Sequence, residues 1–248
     1  MSYLLNMEFQ DQGIVISLRK YGEFDAVIDV LTADHGRHAG LVKGGMGRRQ
    51  RGMLQPGNEV KLSWRGRLES QLGTYSVELH NARSASFLDY SEKLSVLNSV
   101  CAILCVTLPE REAHKPLFEG LQALLDALER TDRRIEYWGA LLVRWEIGLL
   151  SELGFGLDLS CCAATGVTDD LIYVSPKSGR AVSKGAGLPY HDKMLSLPAF
   201  LVGEADEITA DEIRAGLHLS EFFMERHVLA PHNKKIPQAR RMLMDFLS

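Results

Sequence analysis

The sequence contains little cysteine: the 248 residues include only Cys101, Cys105, Cys161 and Cys162. Two of them lie one helical turn apart in an apolar run, and the other two are adjacent. A small secreted scaffold held by disulfides would carry cysteine more densely. We therefore expect these thiols to stay reduced.

Long hydrophobic runs are also missing. Residues 1–8 lack the cationic start and apolar core that make a signal peptide. The longest nearly uncharged stretch, Leu94 to Pro109, is too short to cross a membrane and includes Asn98 and Ser99. These absences predict a cytoplasmic protein with no membrane partner.

The motifs of common catalytic sites are absent as well. The glycine-rich segment after Lys43 has no Gly-Lys-Ser/Thr ending, and Gln50 stands where G-x-G-x-x-G needs its third glycine. Neither H-E-x-x-H nor G-x-S-x-G occurs, and the eight histidines are scattered. We expect the pair Asp169-Asp170 to be solvated charge. The sequence thus predicts no enzyme and no cofactor.

Cys161 and Cys162 raise the question of a structural zinc site, which commonly needs four ligands from two C-x-x-C knuckles. Here the two cysteines are adjacent, and residues 175–183 contain neither Cys nor His. The nearest later histidine is His191. The pattern favours two plain thiols and no metal, with a zinc site as the open alternative.

The first third of the chain reads as short β-strands separated by turn signals such as Pro56-Gly57-Asn58. The strand segments are Gln12–Lys20, Asp25–Leu31, His38–Lys43, Glu59–Trp64 and Gln71–Leu79. Five short strands without a long helix among them are typical of a small closed or partly open barrel. A chain of this length also predicts two domains.

Near residue 82 the pattern changes, and from Leu94 apolar residues recur at helical spacing until Gly154. Residues 155–192 lose this period and read as an irregular insert. Thr209 to Glu212 then spells a capping box, and Pro237 suits the first turn of a last helix. We expect domains at 1–82 and 83–248, the second of them α-helical.

Positive charge is concentrated in the first domain although the chain carries a net charge of -4. Between residues 37 and 67, eight basic residues face Glu59 alone, which gives a local charge of +7. The cations are Arg37, Lys43, Arg48, Arg49, Arg51, Lys61, Arg65 and Arg67. They are either solvated charge or a phosphate-binding surface, with Trp64 as a stacking platform or a barrel core residue.

A second basic stretch runs from Arg226 to Arg241 with no acid between its ends. Its cations are Arg226, Lys234, Lys235, Arg240 and Arg241. Two interpretations remain open. The stretch is either a solvated helix end and tail, or a further contact for DNA or an acidic partner peptide.

Seven motifs follow one another along the chain: Gln12 to Ile16, Tyr21-Gly22-Glu23, Leu31 to Gly36, Lys43-Gly44 with its arginines, Leu54 to Gly57, Leu149 to Cys161, and Tyr173 to Gly179. In order and spacing the sequence resembles the bacterial RecO family over nearly its whole length. The resemblance implies an α+β protein. An N-terminal OB-fold β-barrel precedes an α-helical domain with a degenerate zinc-finger-like insert. Many members carry a four-cysteine zinc knuckle, and only its first cysteine region is present here.

The RecO resemblance implies a recombination mediator in DNA repair. Such a protein binds single- and double-stranded DNA and anneals complementary strands. With RecR it helps load RecA onto strands coated by single-strand-binding protein, whose C-terminal tail it contacts, and it is associated with the nucleoid. Arg37, Lys43, Arg48, Arg49 and Arg51 correspond broadly to the family's DNA surface. The alternative is an OB-fold scaffold for protein partners with incidental nucleic-acid binding.

Overall fold

Five antiparallel and parallel strand pairings close the N-terminal region into a barrel in the computed structural model, which describes residues 7–68, 70–130, 135–203 and 207–246. The strands are β1 (Met7–Tyr21), β2 (Asp25–Thr32), β3 (Gly36–Val42), β4 (Glu59–Gly66) and β5 (Thr74–Asn81). Their order around the barrel is β1-β2-β3-β5-β4, and β4 pairs again with β1. This five-stranded arrangement confirms the predicted OB-like barrel.

β1 begins five residues before the predicted strand because Met7 to Asp11 pair with the far half of β4. These first residues are mostly exposed and lack the apolar run that marks residues 14–18. Periodicity therefore reports only the buried part of the strand. The mostly exposed part, Met7 to Asp11, is a strand because it pairs with β4.

The barrel closes where β3 runs parallel to β5. Leu41 is paired with Thr74, and the Leu41 amide donates to the carbonyl of Gly73 at 3.1 Å. At Gly40 a Cβ atom would lie 2.2 Å from the Tyr75 ring, so only glycine allows this approach. The interior is filled by apolar side chains: Val15, Ala26, Ile28, Val30, Val42, Leu54, Val60, Leu62, Trp64 and Tyr75.

A short helix, α1 (Arg48–Met53), lies between β3 and β4. The sequence predicted only a glycine-rich loop there, because six residues are too few for a helical period to be visible. Met46 before the helix packs on the barrel core, and Leu54 after it is fully buried. These two side chains anchor the helix at one end of the barrel.

The helices predicted after residue 82 are confirmed: α3 (Ser91–Thr107), α4 (Lys115–Arg130), α5 (Ile135–Glu152), α7 (Ala210–Phe223) and α8 (Gln238–Asp245). Two short helices were not predicted, α2 (Arg83–Ser86) and, inside the insert, α6 (Lys184–Gly187). Gly154 adopts a φ of +85° and ends α5. The capping box at α7 is formed, with the Glu212 amide donating to Thr209 Oγ1 at 3.2 Å. No helix among the described residues has both the length and the apolar character needed to cross a membrane.

By its internal contacts the chain divides into two units, residues 1–125 with 237–243 and residues 126–236 with 244–248. The first unit therefore includes helical segments that sequence analysis assigned to the second domain. α3 packs on the barrel closely enough that a Cβ atom at Gly57 would lie 2.9 Å from Leu97. The domain boundary near residue 82 stays a prediction.

The insert is more regular than predicted. It contains β6 (Leu171–Val174) and β7 (Ala181–Ser183), which form an antiparallel sheet with β8 (Leu195–Ser196) in the order β7-β6-β8. Strands of two to four residues are too short to show alternation in a sequence. The expectation of an irregular segment was therefore wrong for these residues.

Cys162 is held by hydrogen bonds within the insert. Its buried sulfur accepts hydrogen bonds from the Ser183 amide at 3.2 Å and the Ser183 hydroxyl at 3.4 Å. Burial alone raises the pKa of the Cys162 thiol, but hydrogen bonds from Ser183, Thr165 and Ala164 outweigh it and bring the pKa to about 6. Within the described ranges, no three His, Cys, Asp or Glu side chains are grouped so as to hold a metal ion.

One histidine is part of the barrel core. His38 is 2% exposed, and its Nδ1 lies 2.7 Å from the hydroxyl of Tyr75. Burial, followed by the nearby Arg111 and His35 charges, lowers the pKa of His38 from 6.5 to about 4. The unfolded chain therefore binds a proton at this site between pH 6.5 and 4, whereas the folded chain does not. The contribution of neutral His38 to the free energy of unfolding is therefore complete above pH 6.5, and it is lost as pH falls from 6.5 to 4.

We predict that on acidification the parent protein loses about 3 kcal/mol more unfolding free energy than His38→Gln does, because the Gln amide cannot titrate. Urea denaturation followed by tryptophan fluorescence at pH 7 and pH 4.5 measures the difference for each protein. His80→Gln, at an exposed position on β5, is the control and should behave as the parent. Equal acid sensitivity of the parent and His38→Gln proteins would contradict the prediction.

Candidate nucleic-acid interface

Four cations lie together at the end of the barrel where β3 leaves the sheet. We call Lys43, Arg48, Arg49 and Arg51 the cationic rim. All four side chains are exposed. In the described part of the chain, no ion pair involves any of them. Their charge is therefore available to an external anion.

Backbone hydrogen bonds fix the segment that carries these cations. The Gly45 amide donates to Val42 at 3.2 Å, and the Gly47 amide donates to Gly44 at 2.9 Å. Gly44 has a φ of +65°, a conformation that favours glycine. A Cβ atom at Gly45 would lie 2.7 Å from the Ala26 side chain. These glycines shape a tight turn against β2, a role that the sequence pattern did not reveal.

The hairpin between β4 and β5 adds two further exposed cations, Arg65 and Arg67. Arg65 is paired with Thr74, which is paired in turn with Leu41. Arg65 therefore lies two strand spacings, about 10 Å, from Leu41, which precedes Lys43 of the cationic rim by two residues. Arg65 Nε also lies 3.0 Å from Glu8, in an exposed ion pair that water screens.

Arg37 lies elsewhere and is held by the protein itself. Its side chain is 15% exposed, and Nε donates to the Leu108 carbonyl at 3.1 Å. Nη1 lies 3.3 Å from Asp29, and Nη2 lies 3.5 Å from Glu110. A guanidinium with three internal acceptors has little capacity left for a phosphate. These contacts favour a structural role over the DNA contact expected from the sequence.

Trp64 and Lys61 are also separate from the cationic rim. Trp64 is 1% exposed, and its indole N–H donates to the Leu72 carbonyl at 3.0 Å. This burial supports the core interpretation and leaves no ring face for a base. Lys61 is exposed on β4 and is paired with Gln12 and Glu78 on the two flanking strands.

Lys61 lies in a groove whose charge is unsuited to phosphate. The groove has a volume of about 500 Å³. Its polar lining includes Gln10, Asp11, Gln12, Asp34, Lys61, Ser63, Ser76 and Glu78. Three carboxylates there face one ammonium group. His35 Nδ1 lies 2.7 Å from the Asp11 carboxylate at the same place.

The second basic stretch is divided between the two units, because residues up to 236 belong to one and residues 237–243 to the other. Arg240 is 1% exposed, so it belongs to the interior and is not the surface cation that the sequence predicted. Arg226 Nη1 donates to the Pro176 carbonyl at 3.3 Å, and its guanidinium lies over the Phe222 ring. Lys234, Lys235 and Arg241 are exposed, and their DNA contact stays a prediction.

Comparison with known proteins agrees with this architecture. The family model described as "Recombination protein O N terminal" matches residues 7–83, and "Recombination protein O C terminal" matches residues 90–236. The chain belongs to the recombination protein O family. Among the RecO relatives, "DNA repair protein RecO" of Rhodospirillum centenum is 48% identical over 241 residues, which cover 96% of this chain and 94% of that protein.

Two further RecO relatives carry the same name. The protein of Rhodospirillum rubrum is 45% identical over 243 residues, which cover 97% of this chain and 96% of the relative. That of Caulobacter vibrioides is 43% identical over 244 residues, with 98% and 96% covered. The resemblance to RecO recognised in the sequence is thereby confirmed.

Three exposed residues near the cationic rim were not among the site residues expected from the sequence. Lys20 and Tyr21 end β1 and Phe24 lies in the turn that leads to β2; Tyr21 is 57% and Phe24 67% exposed. The sequence pattern marked Lys20 as the end of a strand and Tyr21-Gly22-Glu23 as a turn. Two aromatic residues in the short segment beyond the predicted end of a strand were the available signal.

We predict that Arg37→Ala lowers the free energy of unfolding by about 2 kcal/mol, because it leaves the buried Asp29 carboxylate with fewer partners. Arg49→Ala, at an exposed position without an ion pair, should change it by less than about 0.5 kcal/mol. Urea denaturation of both variants and of the parent protein measures these effects. A fully stable Arg37→Ala protein with impaired DNA binding would instead restore Arg37 as a DNA contact.

Proposed function

We propose that this protein is a DNA-binding recombination mediator in DNA repair that acts by binding and performs no chemistry itself. It binds single- and double-stranded DNA, anneals complementary strands and, with RecR, helps load RecA onto single strands coated by single-strand-binding protein. The names of its relatives support the repair role. The cationic rim supports the DNA binding.

The observation that carries the proposal is the set of exposed rim cations, whose charge no ion pair in the described ranges neutralises. A DNA strand is a dense line of negative charge with condensed counterions. Each phosphate that a rim arginine neutralises releases such counterions, which favours binding entropically. OB-fold barrels use basic grooves of this kind to follow a single strand.

Annealing follows from the same contacts. Two complementary strands repel each other because both carry phosphate charge, and bound cations reduce this repulsion. A protein that grips backbones through phosphates, and not through base edges, leaves those edges free to pair. The rim arginines therefore bring strands together without dictating their sequence.

The partners of the proposal come from the RecO family resemblance. They are RecR, RecA indirectly, and the C-terminal tail of single-strand-binding protein. The cytoplasm, close to the nucleoid, is the compartment where these partners and DNA meet. Arg226, Lys234, Lys235 and Arg241 remain candidates for a second DNA or acidic-peptide contact.

We predict that the affinity for single-stranded DNA falls steeply with salt, and that Arg48→Ala/Arg49→Ala/Arg51→Ala lowers the slope of log K against log salt by about 2. Removal of three phosphate contacts releases correspondingly fewer counterions. Fluorescence anisotropy of a labelled oligonucleotide at several salt concentrations measures the slope. The rate of strand annealing should fall in parallel.

The matched control is Lys177→Ala/Lys184→Ala/Lys193→Ala, which removes three exposed cations from the insert region. Its salt slope should equal that of the parent. Equal slopes for the parent and for the triple arginine variant would overturn the DNA-binding proposal. If the arginine variant annealed normally but lost RecR, the protein-scaffold alternative would hold.

A further inference from the structure

We propose that Tyr21, the last residue of β1, and Phe24, in the turn between β1 and β2, form a base-stacking platform for single-stranded DNA beside the cationic rim. The inference rests on the proposed DNA binding and adds the group that would recognise bases. It assigns to this turn a preference for single strands over duplex. Neither aromatic residue was among the site residues expected from the sequence.

The exposure of the two rings is the first argument. Phe24 is 67% exposed and is the most exposed aromatic among the described residues, while Tyr21 is 57% exposed. Apolar ring surface in contact with water carries an unfavourable free energy of about 25 cal/mol per Å². Nothing in the barrel core needs these rings, because the interior is filled by other side chains. Their surface is available to a ligand with an apolar face.

The second argument is the firm attachment of the turn to the segment with the rim cations. The Met46 amide donates to the Phe24 carbonyl at 2.9 Å, and the Gly44 amide donates to the Asp25 carboxylate at 2.7 Å. Met46 also packs on the core, so the turn and the rim are fixed to one another. Arg48 follows Met46 by only two residues.

The surrounding charge identifies the occupant. Lys20 precedes the platform and is exposed, and the rim cations continue on the other side of the hydrogen bonds just described. Glu23 is the exposed acid in the turn, whereas Asp25 is engaged by Gly44. Exposed aromatic rings bordered by cations suit an anionic chain that carries aromatic bases. A wholly apolar partner would leave these cations without a counterpart.

The platform selects among nucleic acids by base accessibility. In a duplex the bases stack on one another and are closed off at both faces, so the rings reach only phosphates and sugars. In a single strand each base offers a π-face, and any base can stack, which makes the contact tolerant of sequence. The rim cations supply affinity for both forms, and the rings add affinity for single strands alone.

The test compares Tyr21→Ser/Phe24→Ser with the parent protein in fluorescence anisotropy. Three probes of equal length are used: a single-stranded oligonucleotide, its duplex, and an abasic strand. The double variant should bind the single strand about 10- to 100-fold more weakly. Its affinities for duplex and abasic strand should change by less than about threefold, and its salt slope should be unchanged.

Two controls accompany the double variant. Leu188→Ser/Tyr190→Ser removes apolar surface of similar exposure, 62% and 57%, from the insert region, and should bind all probes as the parent does. Tyr21→Phe/Phe24→Tyr keeps both rings and should retain single-strand affinity. Both changes affect exposed side chains, and urea midpoints equal to that of the parent verify folding.

The outcomes separate the platform from the proposed function. Suppose that the triple arginine variant has a smaller slope of log K against log salt, while the double aromatic variant binds the single strand normally. The base-stacking proposal is then wrong, and the proposed function is supported. Equal weakening for single and abasic strands also overturns the platform, because base stacking is then not involved. If the parent protein itself shows no salt-dependent DNA binding, both the proposed function and the base-stacking proposal are wrong. A double variant that binds DNA normally but elutes at lower mass than the parent makes the turn a self-association surface and overturns the platform.

Discussion

The packing of two apolar side chains on the barrel core, half-buried Met46 and fully buried Leu54, determines how this barrel presents its charge. They flank a six-residue helix, which is far too short to be stable by itself in water. Because both ends are anchored on the barrel core, the helix between them holds its arginines outside. A hydrophobic contact thus sets the position of polar groups. The same anchor fixes the neighbouring turn, since Met46 also donates its amide to Phe24.

Ion pairs within the protein give two arginines, Arg37 and Arg49, different roles. Arg37 is surrounded by Asp29, Glu110 and a carbonyl group, so its charge serves the connection between barrel and following chain. Arg49 is exposed, and its charge is directed to solvent. The two residues are indistinguishable in a count of local charge. Only the position of acidic residues distant in sequence separates them.

The barrel, most helices and the capping box of α7 could be predicted because each leaves a local pattern of apolar spacing or cap residues. The site was less predictable. Trp64 stands beside two arginines in the sequence, yet β4 turns its ring inward and Arg65 outward, as successive strand residues alternate. Phe24 and the neighbouring Tyr21 were overlooked because the sequence does not reveal the hydrogen bonds that tie Phe24 and Asp25 to a segment some twenty residues later. The sheet in the insert was not predicted because its strands, two to four residues long, are too short to show alternation in the sequence.

The acidic groove has a consequence for how ligands arrive. Asp34 follows β2, whereas the turn with Phe24 precedes it, so the two lie at opposite ends of an eight-residue strand that spans about 25 Å. Three carboxylates of the groove thus lie towards one end of β2, and the rim cations lie beyond its other end. A polyanion that diffuses towards the barrel experiences a torque before any contact forms, repelled at one end and attracted at the other. Under the proposed function, this separation of charge would pre-orient strands and make productive encounters more frequent than random collision would allow.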